Sequence, residues 1–161
     1  MKYNEELSLS LVDFGDMAPE PFILGLLSAF NNRLQASADN FFKEITWKQF
    51  FAIICVNLCK ESPTLNELSE IMGSSHQNVK QILLKLEKKG FIKMIPDKSD
   101  KRKQRIALTE KCMDFLNNNS AQSDEIICRI FHGIDKDSLL TTIQTLLTME
   151  KNISEIGTFT V

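Results

Sequence analysis

The stretch that most limits what this chain can become is TLNELSEIMGSSHQNVKQILLKLEKKGFIKMIPDKSDKRKQRIALT, from Thr64 to Thr109. Thr64 and Glu67 stand three apart ahead of an apolar run. That is the spacing of a capping box, in which each side chain satisfies a backbone N–H at the helix start. The helix so opened, LNELSEIMG, ends at Gly73. Ser74 or Ser75 caps a second helix that runs to about Lys89, and Gly90 stops it. Two short helices joined by a tight glycine-containing turn form a helix-turn-helix. In the second, Val79, Leu83 and Leu86 fall at i, i+4 and i+7 with Ile82 beside them, so one stripe is set for burial. FIKMI then reads as a short strand, Pro96 to Arg102 as a turn, and KQRIAL as a returning strand. A helix-turn-helix followed by a β-hairpin is a winged helix.

The flanks are helical. Pro19 and Pro21 punctuate the start of PFILGLLSAFNNRLQASADNFFKE, whose apolar residues recur at helical spacing through Phe41 and Phe42. Thr46 caps WKQFFAIICVNLCK, apolar nearly all round and therefore a core helix. After Thr109, EKCMDFLNNNSAQSDEIICRIFHG reads as one helix and KDSLLTTIQTLLTMEKNI as the last. The fold class expected is mainly α with a small β-hairpin. A winged helix-turn-helix spans 46–109, and helices of 1–45 and 110–161 form a dimerisation body. The terminal helices carry more apolar residues than a small winged helix can bury. Leu139, Leu140, Ile143, Leu146, Leu147 and Ile153 call for a partner surface.

Charge is unevenly spread. The chain as a whole is −2, yet between Met72 and Lys111 eleven basic residues face four acidic ones, a net of +7 that leaves −9 for the rest. Such segregation marks a face that meets a polyanion. A helix that reads base edges in the major groove needs short polar side chains at its N-terminal end. Ser74, Ser75, His76, Gln77 and Asn78 supply them, with Gln81 one turn on. Lys80 and Lys85 lie where phosphates run. The wing tip offers Lys98, Asp100, Lys101, Arg102 and Lys103. Arg102 is assigned to the adjacent minor groove, where narrow width concentrates negative potential, and Asp100 is assigned to orient it. An Asp in such a turn can accept hydrogen bonds from turn amides or hold an Arg guanidinium in a fixed pose, which gives Asp97 and Asp100 a use near phosphates.

From Thr64 to Thr109 the sequence resembles the winged helix of the MarR (multiple antibiotic resistance regulator) family. The likeness rests on LEKKGFI, the D-x-x-D-x-R wing of Asp97, Asp100 and Arg102, and the closing Leu108-Thr109. The flanking pattern, two helices before and two after, agrees with it. Met94 and Cys112 depart from it, standing where the family often has Arg and Gly. The resemblance implies a homodimeric transcriptional regulator that grips a pseudo-palindromic double-stranded DNA operator, and a repressor is expected; a cytoplasmic location is expected from the lack of a membrane-spanning run and of a signal-peptide core. The resemblance also implies tuning by a small aromatic effector or by thiol oxidation. The competing expectation is a winged helix that serves protein–protein contact without DNA.

Other chemistry is sparse. Cys55 and Cys59, four apart on one helix, supply at most two ligands to a metal, and two thiols in an apolar helix are the better reading. Cys112, beside Lys111, is the candidate reactive thiol. Trp47, Phe50 and Phe51 are candidate effector-lining residues, with ordinary core preferred. Asp97 and Asp100 sit in an exposed turn crowded by Lys and Arg, a poor place to raise a carboxyl pKa for acid catalysis. No enzyme, cofactor or metal is expected. No apolar run approaches the length that crosses a bilayer, and the N-terminus lacks the apolar core of a signal peptide.

Overall fold

Capping decides where the helices begin. The computed structural model describes residues 17–97 and 100–156, with helices α1 (Pro19–Ala38), α2 (Trp47–Leu58), α3 (Leu65–Ile71) and α4 (His76–Lys88). Strands β1 (Ile92–Pro96) and β2 (Gln104–Leu108) follow, then α5 (Glu110–Asn118), α6 (Ser120–Ile130) and α7 (Lys136–Ile156). Thr46 with Gln49 and Thr64 with Glu67 each form a complete capping box. Ser75 caps α4, its hydroxyl accepting from the Asn78 amide at 3.3 Å.

Glycine decides where two of them end. Gly73 (φ +58°) and Gly90 (φ +76°) occupy the left-handed region that other residues adopt only at a cost. At Gly90 the amides of Gly90 and Phe91 bond back to the carbonyls of Glu87 and Leu86, at 2.9 and 3.0 Å. Gly73 and Ser74 repeat the pattern onto Glu70 and Ser69, both at 3.1 Å. These paired bonds satisfy carbonyls that a helix end leaves open. They also turn α3 into α4 and aim the chain after α4 into the wing.

Helix α2 packs against α3, α4 and β2, and α1 packs against α2. Ile53, Leu68, Val79, Leu86, Phe91, Ile106 and Cys112 are fully buried among these elements. Val79, Ile82, Leu83 and Leu86 are the buried side of α4, as the i, i+4, i+7 spacing requires. β1 and β2 pair antiparallel, Ile92 opposite Leu108 and Pro96 opposite Gln104. Phe91 falls outside the strand because its amide closes the end of α4. A third segment joins β2 through a bridge between Thr64 and Arg105 and a 2.8 Å bond from the Ile106 amide to the Pro63 carbonyl.

Two expectations are corrected. The first long helix stops at Ala38, so Phe41 and Phe42 lie in the following loop. There the Asp39 carboxylate accepts from the Trp47 amide at 2.7 Å, and Phe42 is buried with its ring 4.6 Å from that of Phe50. The helix expected after Thr109 is two, α5 and α6, broken at Asn119. The Asn119 side chain donates to the Phe115 carbonyl at 2.8 Å, and its backbone leaves the helical region (φ −106°, ψ 6°). Three successive Asn residues, poor helix formers that bond their own backbone, explain the break.

A first compact unit ends at Met113 and a second begins at Asp114. By contacts, α1 belongs with the winged helix. In the second unit neither α6 nor α7 has a buried residue, and Leu140, Ile143, Leu147 and Ile153 of α7 are exposed.

Beyond its chain neighbours, no atom lies within 4 Å of where a Cβ on Gly73 would stand, so substitution there is limited by the backbone alone. Gly73→Ala is expected to lower the unfolding free energy by about 1–2 kcal/mol, and Gly73→Asn by less. Chemical denaturation with an unchanged m-value checks this.

Candidate nucleic-acid interface

The polar end of α4 is open to solvent. Ser75, His76, Gln77, Asn78, Lys80, Gln81 and Lys85 are exposed and Ser74 is half-buried. Two of these side chains are partly engaged already. Asn78 donates its side-chain amide to the Ser74 hydroxyl at 2.8 Å, and Ser75 is occupied as the cap. The buried stripe behind the helix holds it in place, so its front is presented without support from these polar groups.

The wing is shaped by carboxylates. Asp97 is buried at the neck of the hairpin, and one of its oxygens accepts from the Asp100 amide at 2.9 Å. The Asp97 amide bonds the Lys103 carbonyl at 3.0 Å, and the Lys103 amide bonds the Asp100 carbonyl at 2.8 Å. Asp100 Oδ1 then accepts from Arg102 twice, from its amide at 3.1 Å and from Nε at 3.3 Å. The Arg102 side chain is 92% exposed. An ion pair so exposed contributes little to stability. Its effect is to restrict where the guanidinium points, the role assigned to Asp100. Lys101 and Lys103 are exposed beside it, while Lys98 lies outside the described residues.

Helix and wing come together. Lys80, Leu84 and Glu87 of α4 line the same groove as Arg102, Lys103 and Gln104 of the wing, with Asn66 and Glu67 of α3 at one side. Lys80, three residues along α4 from Gln77, and Arg102 thus line one groove of the first unit.

Not every cation in the basic window serves this face. Lys89 donates to the Glu44 carbonyl at 2.6 Å and to Gln49 Oε1 at 3.0 Å. Lys111 donates to the Lys89 carbonyl at 2.9 Å, with its ammonium 4.7 Å from the centroid of the Phe91 ring. Arg105 pairs with Asp97 and donates to the Ser62 carbonyl at 2.7 Å. Charge counting does not separate these three structural cations from the eight that remain. Arg105 in particular was legible only as a charge. Its signal is the hairpin register, which sets it opposite Ile95, two residues from Asp97.

The other candidates fare differently. Trp47 and Phe50 are half-buried with ring centroids 5.9 Å apart, and Phe51 is 39% exposed. All four cysteines are free thiols. Cys59 donates to the Cys55 carbonyl at 3.2 Å, and burial, followed by the charge of Cys59, raises the Cys55 pKa. Cys112 is fully buried, and desolvation pushes its pKa up to about 11. A sensing thiol needs the opposite, an exposed site that favours thiolate. The redox expectation for Cys112 is therefore corrected. Among the described residues no group of three or more His, Cys, Asp or Glu is placed to hold a metal.

A glycine-turned helix pair with a two-stranded arm beside its second helix is a winged helix-turn-helix. Residues 45–103 match the model of the MarR family. Solved structures share the fold at low identity. A MarR/EmrR family transcriptional regulator from an Acinetobacter species matches with a TM-score of 0.77 at 16% identity, over 86% of this chain and 99% of that one. A MarR protein from Peptoclostridium difficile matches at 0.74 and 20%, over 90% and 93%. BpsR of Bordetella bronchiseptica, whose DNA binding is regulated by 6-hydroxynicotinic acid, matches at 0.70 and 16%, over 84% and 98%.

With its pKa near 11, Cys112 holds little thiolate at neutral pH. Alkylation of Cys112 at pH 7.5 is expected to be at least about 100-fold slower in the native protein than in the unfolded chain. Peptide mapping after timed labelling in the two states measures it.

Proposed function

We propose that the chain is a sequence-specific, double-stranded DNA-binding repressor. It acts as a homodimer on a pseudo-palindromic operator and is released by a small aromatic effector. The observation that carries this reading is the single groove lined by Lys80 of α4 and Arg102 and Lys103 of the wing. A reading helix with a cationic arm beside it spans a major groove and the neighbouring minor groove. Ser74 through Asn78 and Gln81 are assigned to base edges and phosphates at the helix tip, Lys80, Lys85, Lys98, Lys101 and Lys103 to phosphates, and Arg102, oriented by Asp100, to the minor groove.

The dimer reading is supported by α7, whose 21 residues include none that is buried. A solitary helix draws its stability from an apolar face packed on something else. In this reading residues 1–45 and 110–161 supply the dimer body, and two-fold symmetry sets the reading helices about 34 Å apart, one turn of DNA. A dimer seated across two half-sites excludes other proteins from that duplex, hence repression. The effector reading is supported by BpsR, a similar fold regulated by 6-hydroxynicotinic acid, and by the exposed Phe51 beside Trp47 and Phe50. Such an effector weakens DNA binding only by its preference for the state that cannot span both half-sites. Burial of Cys112 favours this route over thiol oxidation. Among the described residues no helix is long and apolar enough to cross a membrane.

Selection of bound sequences from a random duplex pool is expected to return a two-fold-symmetric motif with half-sites about one turn apart. An asymmetric motif removes the dimer. Arg102→Ala is expected to weaken binding by about 1–3 kcal/mol and flatten the salt dependence by about one unit, from a log–log slope of roughly −5 to −7. Affinity indifferent to both salt and Arg102 would mark a protein-interaction module instead.

A further inference from the structure

Arg105 lines the inner wall of the groove that Lys80 and Arg102 share, and it sits where three parts of the winged helix meet. Its side chain is 27% exposed. Nε pairs with the buried Asp97 at the neck of the hairpin, and Nη1 donates to the Ser62 carbonyl at 2.7 Å, ahead of α3. Nη1 also lies 3.9 Å from Glu67 Oε2, the carboxylate that caps α3 by accepting from the Thr64 amide at 2.7 Å. The backbone of Arg105 bridges to Thr64 as well. One guanidinium therefore ties the hairpin to the start of the helix-turn-helix. The hydrogen bond to Asp97 holds the Arg105 pKa above its ordinary value, and the Thr64 bonds hold that of Glu67 below its own, so both remain charged.

The same carboxylate continues outward. The other oxygen of Asp97 takes the Asp100 amide, and Asp100 takes the amide and Nε of Arg102. An ion pair from the α3 cap to Arg105 thus continues as charge-assisted hydrogen bonds through Asp97 and Asp100 to the exposed Arg102. Each link is stronger and more directional than a neutral one.

We propose that Arg105 is a positioning residue for DNA binding: by anchoring Asp97 to the helix-turn-helix it sets the wing turn that delivers Arg102 to the duplex. The proposal rests on the reading of Arg102 as the arm that enters the minor groove. Arg105 touches no base or phosphate in this scheme. It lowers the entropy that the wing would otherwise lose on binding, the general advantage of preorganisation.

A double-mutant cycle with Arg102→Ala, measured by duplex binding at fixed salt, separates the alternatives. Arg105→Gln is expected to weaken binding about tenfold in the wild-type background and less than about twofold in the Arg102→Ala background. In the latter it leaves the salt slope unchanged. Amide exchange at Asp100 and Arg102 should quicken while that of α4 does not. If Arg105→Gln does not fold because Asp97 is left charged in its buried site, Asp97→Asn with Arg105→Gln removes both charges and enters the same cycle. Equal losses in both backgrounds, no loss in either, or a lower salt slope on top of Arg102→Ala would overturn the positioning role. Should Arg102→Ala alone leave affinity intact, the minor-groove reading falls and takes this role with it. An additive result beside a weakened Arg102→Ala removes only the role of Arg105.

Discussion

The exposed polar front of α4 depends on four side chains behind it. Val79, Ile82, Leu83 and Leu86 hold α4 against the core, and Phe91 closes its end. A helix of thirteen residues is too short to persist on its own. Burying a Leu or Ile side chain contributes about 1.5–3 kcal/mol, so a stripe of four holds the helix while its opposite side stays polar and exposed. Polar residues at the N-terminal end then carry no structural burden beyond the Ser75 cap. The division of labour follows from 3.6 residues per turn: positions that satisfy i, i+3, i+4 and i+7 go inward, and whatever lies between them is free to vary.

The wing solves a different problem. A two-stranded hairpin is marginal in water, and this one carries cations that repel each other. Three devices hold it. Ile92 and Ile106 are buried in the core, a third segment at Pro63 and Thr64 bonds the edge of β2, and Asp97 gathers amide and guanidinium donors at the neck. A buried carboxylate is tolerated only when such donors surround it. Asp97 and Asp100, two carboxylates among Lys and Arg, thus fix the backbone from which cations project. Their negative charge lies toward the neck and the turn, while Lys101, Arg102 and Lys103 remain exposed.

Local chemistry was legible where a motif demanded it. The Thr64–Glu67 box, the glycines at 73 and 90, the α4 stripe and the order of helix, helix, hairpin all follow from residue type and spacing, and they appear as expected. What failed to show had one cause in each case. Phe41 and Phe42 kept a helical period past the true end of α1, because a buried loop aromatic satisfies the same spacing as a helical one. The break at Asn119 turns on three Asn residues bonding locally, which periodicity does not weigh. Cys112 looked reactive from its neighbour Lys111, but that ammonium lies over the Phe91 ring and bonds the Lys89 carbonyl, while the thiol itself is buried. Lys89, Lys111 and Arg105 were indistinguishable from the exposed cations of α4 and the wing, since formal charge carries no direction.

That last distinction bears on how the domain can respond to anything bound elsewhere. Lys89 ties the end of α4 to Glu44 and Gln49, beside the segment that leads from α1 into α2, and Lys111 ties the start of α5 to the same turn. The two covalent connections of the winged helix therefore both meet the C-terminal end of its reading helix through short, charge-assisted bonds. Loops would let the helix drift relative to those connections. Here Lys89 bonds one backbone carbonyl and the side-chain oxygen of the buried Gln49, and Lys111 bonds a backbone carbonyl. A shift in either connection would act first on the C-terminal end of α4, where these bonds are made.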